Sequence, residues 1–422
     1  MQGVHSPSRC LVQNAVSSGK PRSIIVQKYG GSSVADVDKL MRVARRVVAT
    51  KRAGNDVVVV VSAMGKTTDG LLSLAKEVAS RAGDTSDPPR RELDMLLSTG
   101  ERVSMALLSI AIQALGEDAI SFTGSQSGIL TNDRHFDARI IEVRPHRIED
   151  ELARGRIVII AGYQGMSYRR EITTLGRGGS DTTAVALAAA LEAERCEIYS
   201  DVDGVYSADP RVVPDAKHLP ELDHAMLQEM AECGAKVLCA QAVEWARRAN
   251  IAIYARSTFD SEDDSPRQTV VRKFAPRTDL RARAVVGENN VVLGRLSNAS
   301  KLDGLLRVAR EANVPLKDVS VDERGISFVV SLLNVPDWRA AKQRLLDAEP
   351  SLELTEDAAV VSVVGDGLAA TTEPLERFIS TLRVVNTTPL TFTATPLRLG
   401  SVIAKDALSE AQRALHRAFV EA

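Results

Sequence analysis

Positions 57–61 are five valines in succession, with no polar residue among them. A strand wetted on one face alternates apolar with polar, so an unbroken β-branched run belongs to a strand covered on both faces, as in a parallel sheet. Parallel neighbours need crossover connections, usually helices. The run therefore implies an alternation of strands and helices, and the chain supplies one. Strand-like runs lie at 23–29, 119–122, 140–143, 157–161, 196–200 and 252–256. Helical periodicity places Val37, Leu40, Met41, Ala44, Val47 and Val48 on one face, and Gly54 and Asn55 end that helix. Further helices are expected at 93–115, 147–154, 182–193, 222–231 and 235–249. Gly100, which would cost about 1 kcal/mol inside a helix, marks a break or a close contact in the first of these. The reading is one three-layer α/β domain over residues 23–260.

Residues 261–266 are polar and read as the start of a linker to 282. Beyond it the order strand, helix, strand, strand, helix occurs twice. Two ferredoxin-like modules are expected, at 283–357 and 358–422. Residues 1–22 carry basic Arg9, Lys20 and Arg22 without an acid and lack the apolar core of a secretory signal. They read as a mobile extension.

Net charge is −2 and aromatic residues are 4% of the chain. This gives no global basic field for nucleic acid or an anionic membrane, and few platforms for base stacking. No uninterrupted apolar run reaches bilayer length. Cys10, Cys196, Cys233 and Cys239 form no C-x-x-C pair and no zinc spacing, so they read as free thiols of a reducing, cytoplasmic compartment.

Two strands of the first domain each empty into a loop rich in Gly, Ser and Thr. Lys28-Tyr29-Gly30-Gly31-Ser32-Ser33 follows the first, and Ser62-Ala63-Met64-Gly65-Lys66-Thr67 the valine run. Thr174-Leu175-Gly176-Arg177-Gly178-Gly179-Ser180-Asp181 leads into an Ala-rich helix. In open α/β sheets, ligands bind where such loops leave the carboxyl ends of strands. Glycines let main chain approach a ligand, a helix start presents N–H groups to an anion, and Arg177 offers a planar fork for a carboxylate or phosphate. Asp181 is expected to cap that helix or to hold another charged group. Lys28, Arg177 and main-chain amides suit a polyphosphate, with Lys28 as point charge for a transferred phosphoryl group. Position 181 breaks the dinucleotide fingerprint, and Val60 stands where a Walker A loop needs its first glycine.

Six motifs occur in order: Lys28 to Ser33, Ser62 to Gly65, Ser98-Thr99-Gly100-Glu101, Thr173 to Asp181, Tyr199 to Arg211, and Gly234-Ala235-Lys236-Val237-Leu238. Together they resemble the aspartate kinases of the amino-acid kinase fold family, whose paired C-terminal ACT modules the tail resembles more loosely. The resemblance implies phosphoryl transfer from ATP, with Mg²⁺, to the side-chain carboxylate of L-aspartate, opening the route to lysine, threonine and methionine. By motif, Lys28, Tyr29, Gly30 and Gly31 would hold the ATP phosphates, and Asp181 would orient Lys28. Ser62 and Thr67 would lie near aspartate, Glu101 would take its amino group and Arg177 a carboxylate. Gly178, Gly179 and Ser180 would form the loop between the substrates. Ser200, Asp201, Tyr206, Asp209, Pro210, Arg211 and Lys236 would bind nucleotide.

The resemblance also implies a homodimer or larger homo-oligomer through the modules, and lysine or threonine as effector. Two departures weigh against an effector. Leu296 to Leu302 stands where regulated members carry a Pro-Gly loop, and Phe392-Thr393-Ala394-Thr395-Pro396 where they tend to place a Ser/Thr-rich strand. Two other readings compete: a kinase of the same fold for glutamate or N-acetylglutamate, and a non-catalytic amino-acid-binding protein. Glu101 disfavours an N-acetylated substrate, which has no amine to pair with it. Lys28, Glu101 and Asp181 disfavour a non-catalytic role.

Overall fold

The computed structural model describes residues 22–81, 88–235, 238–259, 267–274 and 281–421. In chain order the first domain begins with β1 (Ile24–Tyr29), α1 (Val37–Arg52), β2 (Asp56–Val61), α2 (Thr67–Arg81), α3 (Arg90–Leu97), α4 (Thr99–Ala114) and β3 (Ala119–Phe122). It continues with β4 (Ile129–Thr131), β5 (Ile140–Val143), α5 (His146–Ala153), β6 (Ile157–Ala161), β7 (Gln164–Ser167), β8 (Ile172–Thr174) and α6 (Gly179–Ala190). It closes with β9 (Arg195–Ser200), β10 (Val205–Tyr206), β11 (His218–Leu219), β12 (Glu221–Leu222), α7 (His224–Glu232), α8 (Ala240–Ala249), β13 (Ile253–Ser257) and β14 (Gln268–Val271).

Among the described residues, eight strands form the main sheet in the order β12-β14-β13-β9-β1-β2-β6-β3. From β13 through to β3 every pairing is parallel. The valines of β2 show why their run is unbroken. Val58 and Val60 pack into a core with α6, α7 and α8, while Val57, Val59 and Val61 pack into another with α1 and α4. The chain passes from β1 to β2 on one side and returns later to β9 on the other. The carboxyl end of β1 is thus a topological switch point, where open α/β sheets bind their ligands. Helix α1 turns Leu40, Val43, Ala44, Val47 and Val48 inward, whereas Val37 stays exposed.

Several expectations need correction. The 93–115 helix is two helices that meet at Ser98. Gly100 lies just past the junction, where a Cβ would come within 2.8 Å of the Ala63 Cβ. Within 90–114 one 18-residue window reaches the hydropathy of a membrane span, at a mean of 1.4, but half of that window is buried in the protein. Strands β5, β4, β7 and β8 form a second, four-stranded sheet that the sequence reading missed. Within the expected linker, β14 pairs antiparallel with β13 and extends the main sheet.

The tail contains β15 (Ala282–Leu296), α9 (Leu302–Glu311), β16 (Lys317–Asp322), β17 (Gly325–Ser331), α10 (Trp338–Ala348) and β18 (Glu353–Gly365). Then come α11 (Glu373–Val384), β19 (Thr391–Thr395), β20 (Arg398–Ala404) and α12 (Leu408–His416). Its strands make one continuous sheet, β16-β17-β15-β18-β20-β19, joined through the long antiparallel β15–β18 pair. Three hydrophobic clusters of described residues lie along it. The first holds Val292, Leu296, Phe328 and Leu345, the second Ala282, Val285, Phe378 and Leu415, and a third, with Val291, Leu293, Val329, Ala358, Val360 and Val402, spans both halves. The start of β15 therefore packs in the second module, its end in the first, and the expected division at 357–358 falls inside β18.

Candidate active site

Lys28 is the penultimate residue of β1, at the switch point. It is buried, and its Nζ lies 2.6 Å from Oδ1 of Asp181, also buried. The sequence reading left Asp181 two roles. Helix α6 starts at Gly179 with Gly178 as its cap, so Asp181 sits in the first turn and caps nothing. It holds Lys28 instead. The helix begins earlier than expected because Gly178, at φ 75°, takes the left-handed conformation that turns the chain into it.

The loops after β1 and β2 are joined by main-chain hydrogen bonds. Ser62 N–H donates to Tyr29 O at 3.0 Å, and Gly65 N–H to Gly31 O at 2.9 Å. Gly31 has no room for a side chain, since a Cβ there would meet Ala63 O at 2.7 Å. Gly30 N–H donates to Tyr199 O at 3.1 Å, which ties the same loop to β9. The Tyr29 ring does not face the crevice: it is fully buried and stacks on Tyr199 at 4.8 Å. Any part it plays in nucleotide binding is left to its main chain.

Glu101, in the first turn of α4, comes against the loop after β2. Its Oε1 accepts the Ala63 N–H at 3.1 Å. Its Oε2 is buried and accepts no hydrogen bond within the protein. Burial pushes the carboxyl up to about 7, against the hydrogen bonds that favour its charged form. A desolvated carboxylate with one open oxygen suits a cationic group brought by a ligand. Thr67 is exposed and bonds through Oγ1 to Met64 O at 2.6 Å, at the start of α2, while Ser62 is half-buried.

Arg177 and Gly178 are exposed at the tip of their loop, and Gly179 and Ser180 are buried at the helix start. The Ser180 side chain lies against the end of β6, where a Cβ at Gly162 would come within 2.8 Å of it. Across the crevice, past β9, Ser200 bonds with the main chain of Val202, and Asp201 is exposed. Tyr206 donates to Asp203 Oδ1 at 2.7 Å. Asp209 receives Arg211 as a two-pronged pair, Nε at 2.9 Å and a terminal nitrogen at 2.8 Å, beside exposed Pro210. Lys236 lies outside the described residues.

Other supporting residues carried no sequence signal. Asp94, fully buried, accepts from Phe136 N–H at 3.0 Å and from Thr174 Oγ1 at 2.5 Å, and pairs with His135 Nδ1 at 2.6 Å. It anchors the strand that feeds the Arg177 loop, and burial raises its carboxyl. Asn334, from the first module, touches the loop directly.

The model of the amino acid kinase family matches residues 23–257. The aspartokinase of Mycolicibacterium smegmatis is 43% identical over 416 residues, which cover 94% of this chain and 96% of that protein. Escherichia coli aspartokinase III in complex with aspartate and ADP, its R-state, superposes with a TM-score of 0.81 at 25% identity, covering 94% of this chain and 99% of that one. The T-state of the same enzyme, in complex with lysine and aspartate, has the same identity and coverage but a TM-score of 0.67.

Proposed function

The chain belongs to the aspartokinases of the amino acid kinase family, and from that premise we propose how its residues share the work. The reaction moves the γ-phosphoryl group of ATP to the side-chain carboxylate of L-aspartate and gives 4-phospho-L-aspartate. The attacking carboxylate is ionised at neutral pH, so no general base is needed. The obstacle is repulsion between two anions, and positioned charge is the remedy.

Lys28 carries that role, and the observation that supports it is its ion pair with Asp181. Asp181 reaches it from the first turn of the helix that follows the acceptor loop. One ammonium is thereby fixed between the loop after β1, which takes the triphosphate, and the loop Gly176 to Ser180, which takes aspartate. The start of α6 adds its dipole to the same place. Glu101 receives the substrate ammonium on its open oxygen, and Arg177 receives a carboxylate. Ser62 and Thr67 border the aspartate. Ser200, Asp201, Tyr206, Asp209, Pro210 and Arg211 line the nucleotide side, with Lys236 as a further contact.

Mg²⁺ enters with the nucleotide. Such an ion is held through one or two carboxylates and the substrate's phosphate oxygens. When bound, it would neutralise charge on the triphosphate.

The modules pair subunits and offer a place for an amino-acid effector; the lysine-bound T-state of the Escherichia coli enzyme supports the second role, the departures at 296–302 and 392–396 oppose it. Cys196, Cys233 and Cys239 are free thiols, which suits a reducing cytoplasm. A coupled assay of ADP release tests the substrate: turnover is expected with L-aspartate and not with L-glutamate or N-acetylglutamate. Turnover only with another acid, or none at all, would overturn the reading.

A further inference from the structure

Both modules touch the catalytic domain beside the site. From the second, Val285 N–H donates to Ser207 O at 2.7 Å, and His416 Nε2 pairs with the Ser207 hydroxyl at 2.8 Å. Ser207 directly follows Tyr206, on the nucleotide side. The first reaches the nucleotide side through Lys317, whose Nζ donates to Glu232 O at 3.1 Å beside the Gly234 motif, and the acceptor side through Asn334. Asn334 ends a short turn, Leu332–Asn334, that follows β17. Its Oδ1 accepts the Arg177 N–H at 3.0 Å, and its Nδ2 donates to Asp137 Oδ1 at 3.0 Å. The carboxamide lies flat on Gly176, where a Cβ would meet Cγ, Oδ1 and Nδ2 all at 3.0 Å.

Nearby contacts brace this docking. Arg90 donates through Nε to Asp337 Oδ2 at 2.9 Å, and Arg134 to Asn313 O at 3.4 Å. Neither touches the acceptor loop; Asn334 does. The loop is otherwise glycine on both sides of Arg177, with Gly176 at φ 73° and Gly178 at φ 75°. Such a segment has many conformations to lose, so a fixed acceptor on its central N–H selects one of them.

We propose that Asn334 is a positioning residue for aspartate: from the first module it sets the main chain at Arg177 and thereby aims the guanidinium and the start of α6. Through this contact the first module bears on the affinity for aspartate. This rests on Arg177 being the partner of the substrate carboxylate. The amide is suited to the place because one end accepts and the other donates. A carboxylate at position 334 would keep the first contact and turn its second oxygen on Asp137.

The test is steady-state kinetics of the full chain, with both KM values measured for Asn334→Asp, Asp137→Asn and the double variant. Asn334→Asp is expected to raise KM for aspartate about tenfold, the size of one lost hydrogen bond plus a like-charge contact, and to leave KM for ATP within about twofold. Asp137→Asn alone gives up the 3.7 Å ion pair with Arg134 but keeps an oxygen for Asn334, so its aspartate KM should rise less than that of Asn334→Asp. The double variant exchanges donor and acceptor and should recover the aspartate KM. An unchanged KM in Asn334→Asp, or a double variant no better than that single one, would overturn the proposal. Arg177→Ala separates this from the underlying reading. If it leaves the aspartate KM unchanged, Arg177 is misassigned; if it raises that KM while Asn334→Asp does not, only the role of Asn334 fails.

Discussion

Glu101 accepts the main-chain N–H of Ala63 through one carboxylate oxygen and buries the other without a protein partner. The carboxyl is pushed up to about 7 from 4.5 by that burial. Two consequences follow, with opposite signs for function and stability. Pairing with the aspartate ammonium needs the charged form, so KM for aspartate should fall as pH rises from 6 to 8. For folding, a raised acid means that the native state holds its proton where the unfolded chain has lost it. Stability then falls as pH climbs from about 4.5 through about 7. Glu101→Gln should therefore raise Tm at pH 8 while raising KM for aspartate and abolishing its pH dependence. A variant with lower Tm at pH 8 and unchanged KM would contradict both assignments.

Lys28 and Asp181 form a pair with side chains 11% and 9% exposed. Removing one member leaves a lone charge in a desolvated place, at a cost of about 3–5 kcal/mol. Lys28→Met and Asp181→Asn should each destabilise by about that amount in denaturant titrations. The double variant should regain most of it, because no lone charge remains. Activity should not follow stability. Lys28→Met is expected to lower kcat at least about 100-fold, and the double variant should be equally slow. Recovery of turnover in the double variant would show that Lys28 serves only the fold.

Two glycines divide the loop geometry from the helix that follows it. At Gly31 a Cβ would meet Ala63 O at 2.7 Å and Gly65 O at 2.9 Å, both main-chain atoms, so Gly31→Ala must pry apart the loops after β1 and β2. Loss of nucleotide binding by calorimetry is expected. At Gly70, inside α2, nothing lies within 4 Å. Gly70→Ala should stabilise by up to about 1 kcal/mol through helix propensity and leave both substrates' binding unchanged. Equal effects of the two substitutions would mean that the contact at Gly31 has no functional weight.

The parallel strands were legible because burial on both faces writes itself as continuous apolar sequence, as in 57–61 and 157–161. Strands β4, β7 and β8 were not. They are three or four residues long, contain Thr, Gln, Gly and Ser, and owe their existence to pairing with one another. Helix α6 was placed three residues late because its opening glycine and serine read as loop. Lys28, Glu101 and Asp181 stood out as candidates because each stands in a short motif at a strand or helix end. Tyr29 shared its motif but not its direction, since alternate strand residues face opposite sides. Asn334, His416 and Asp94 left no local trace. Each acts on a partner far along the chain, and such a meeting is a property of the folded domains alone.

The central claim is that Lys28 and the acceptor loop stand on either side of the transferred group. A crystal structure with ADP and aspartate tests it most directly. The account expects the terminal phosphate of ADP within hydrogen-bond distance of Lys28 Nζ, and the aspartate ammonium on Glu101 Oε2. Phosphates found remote from both Lys28 and the 176–181 turn would contradict it.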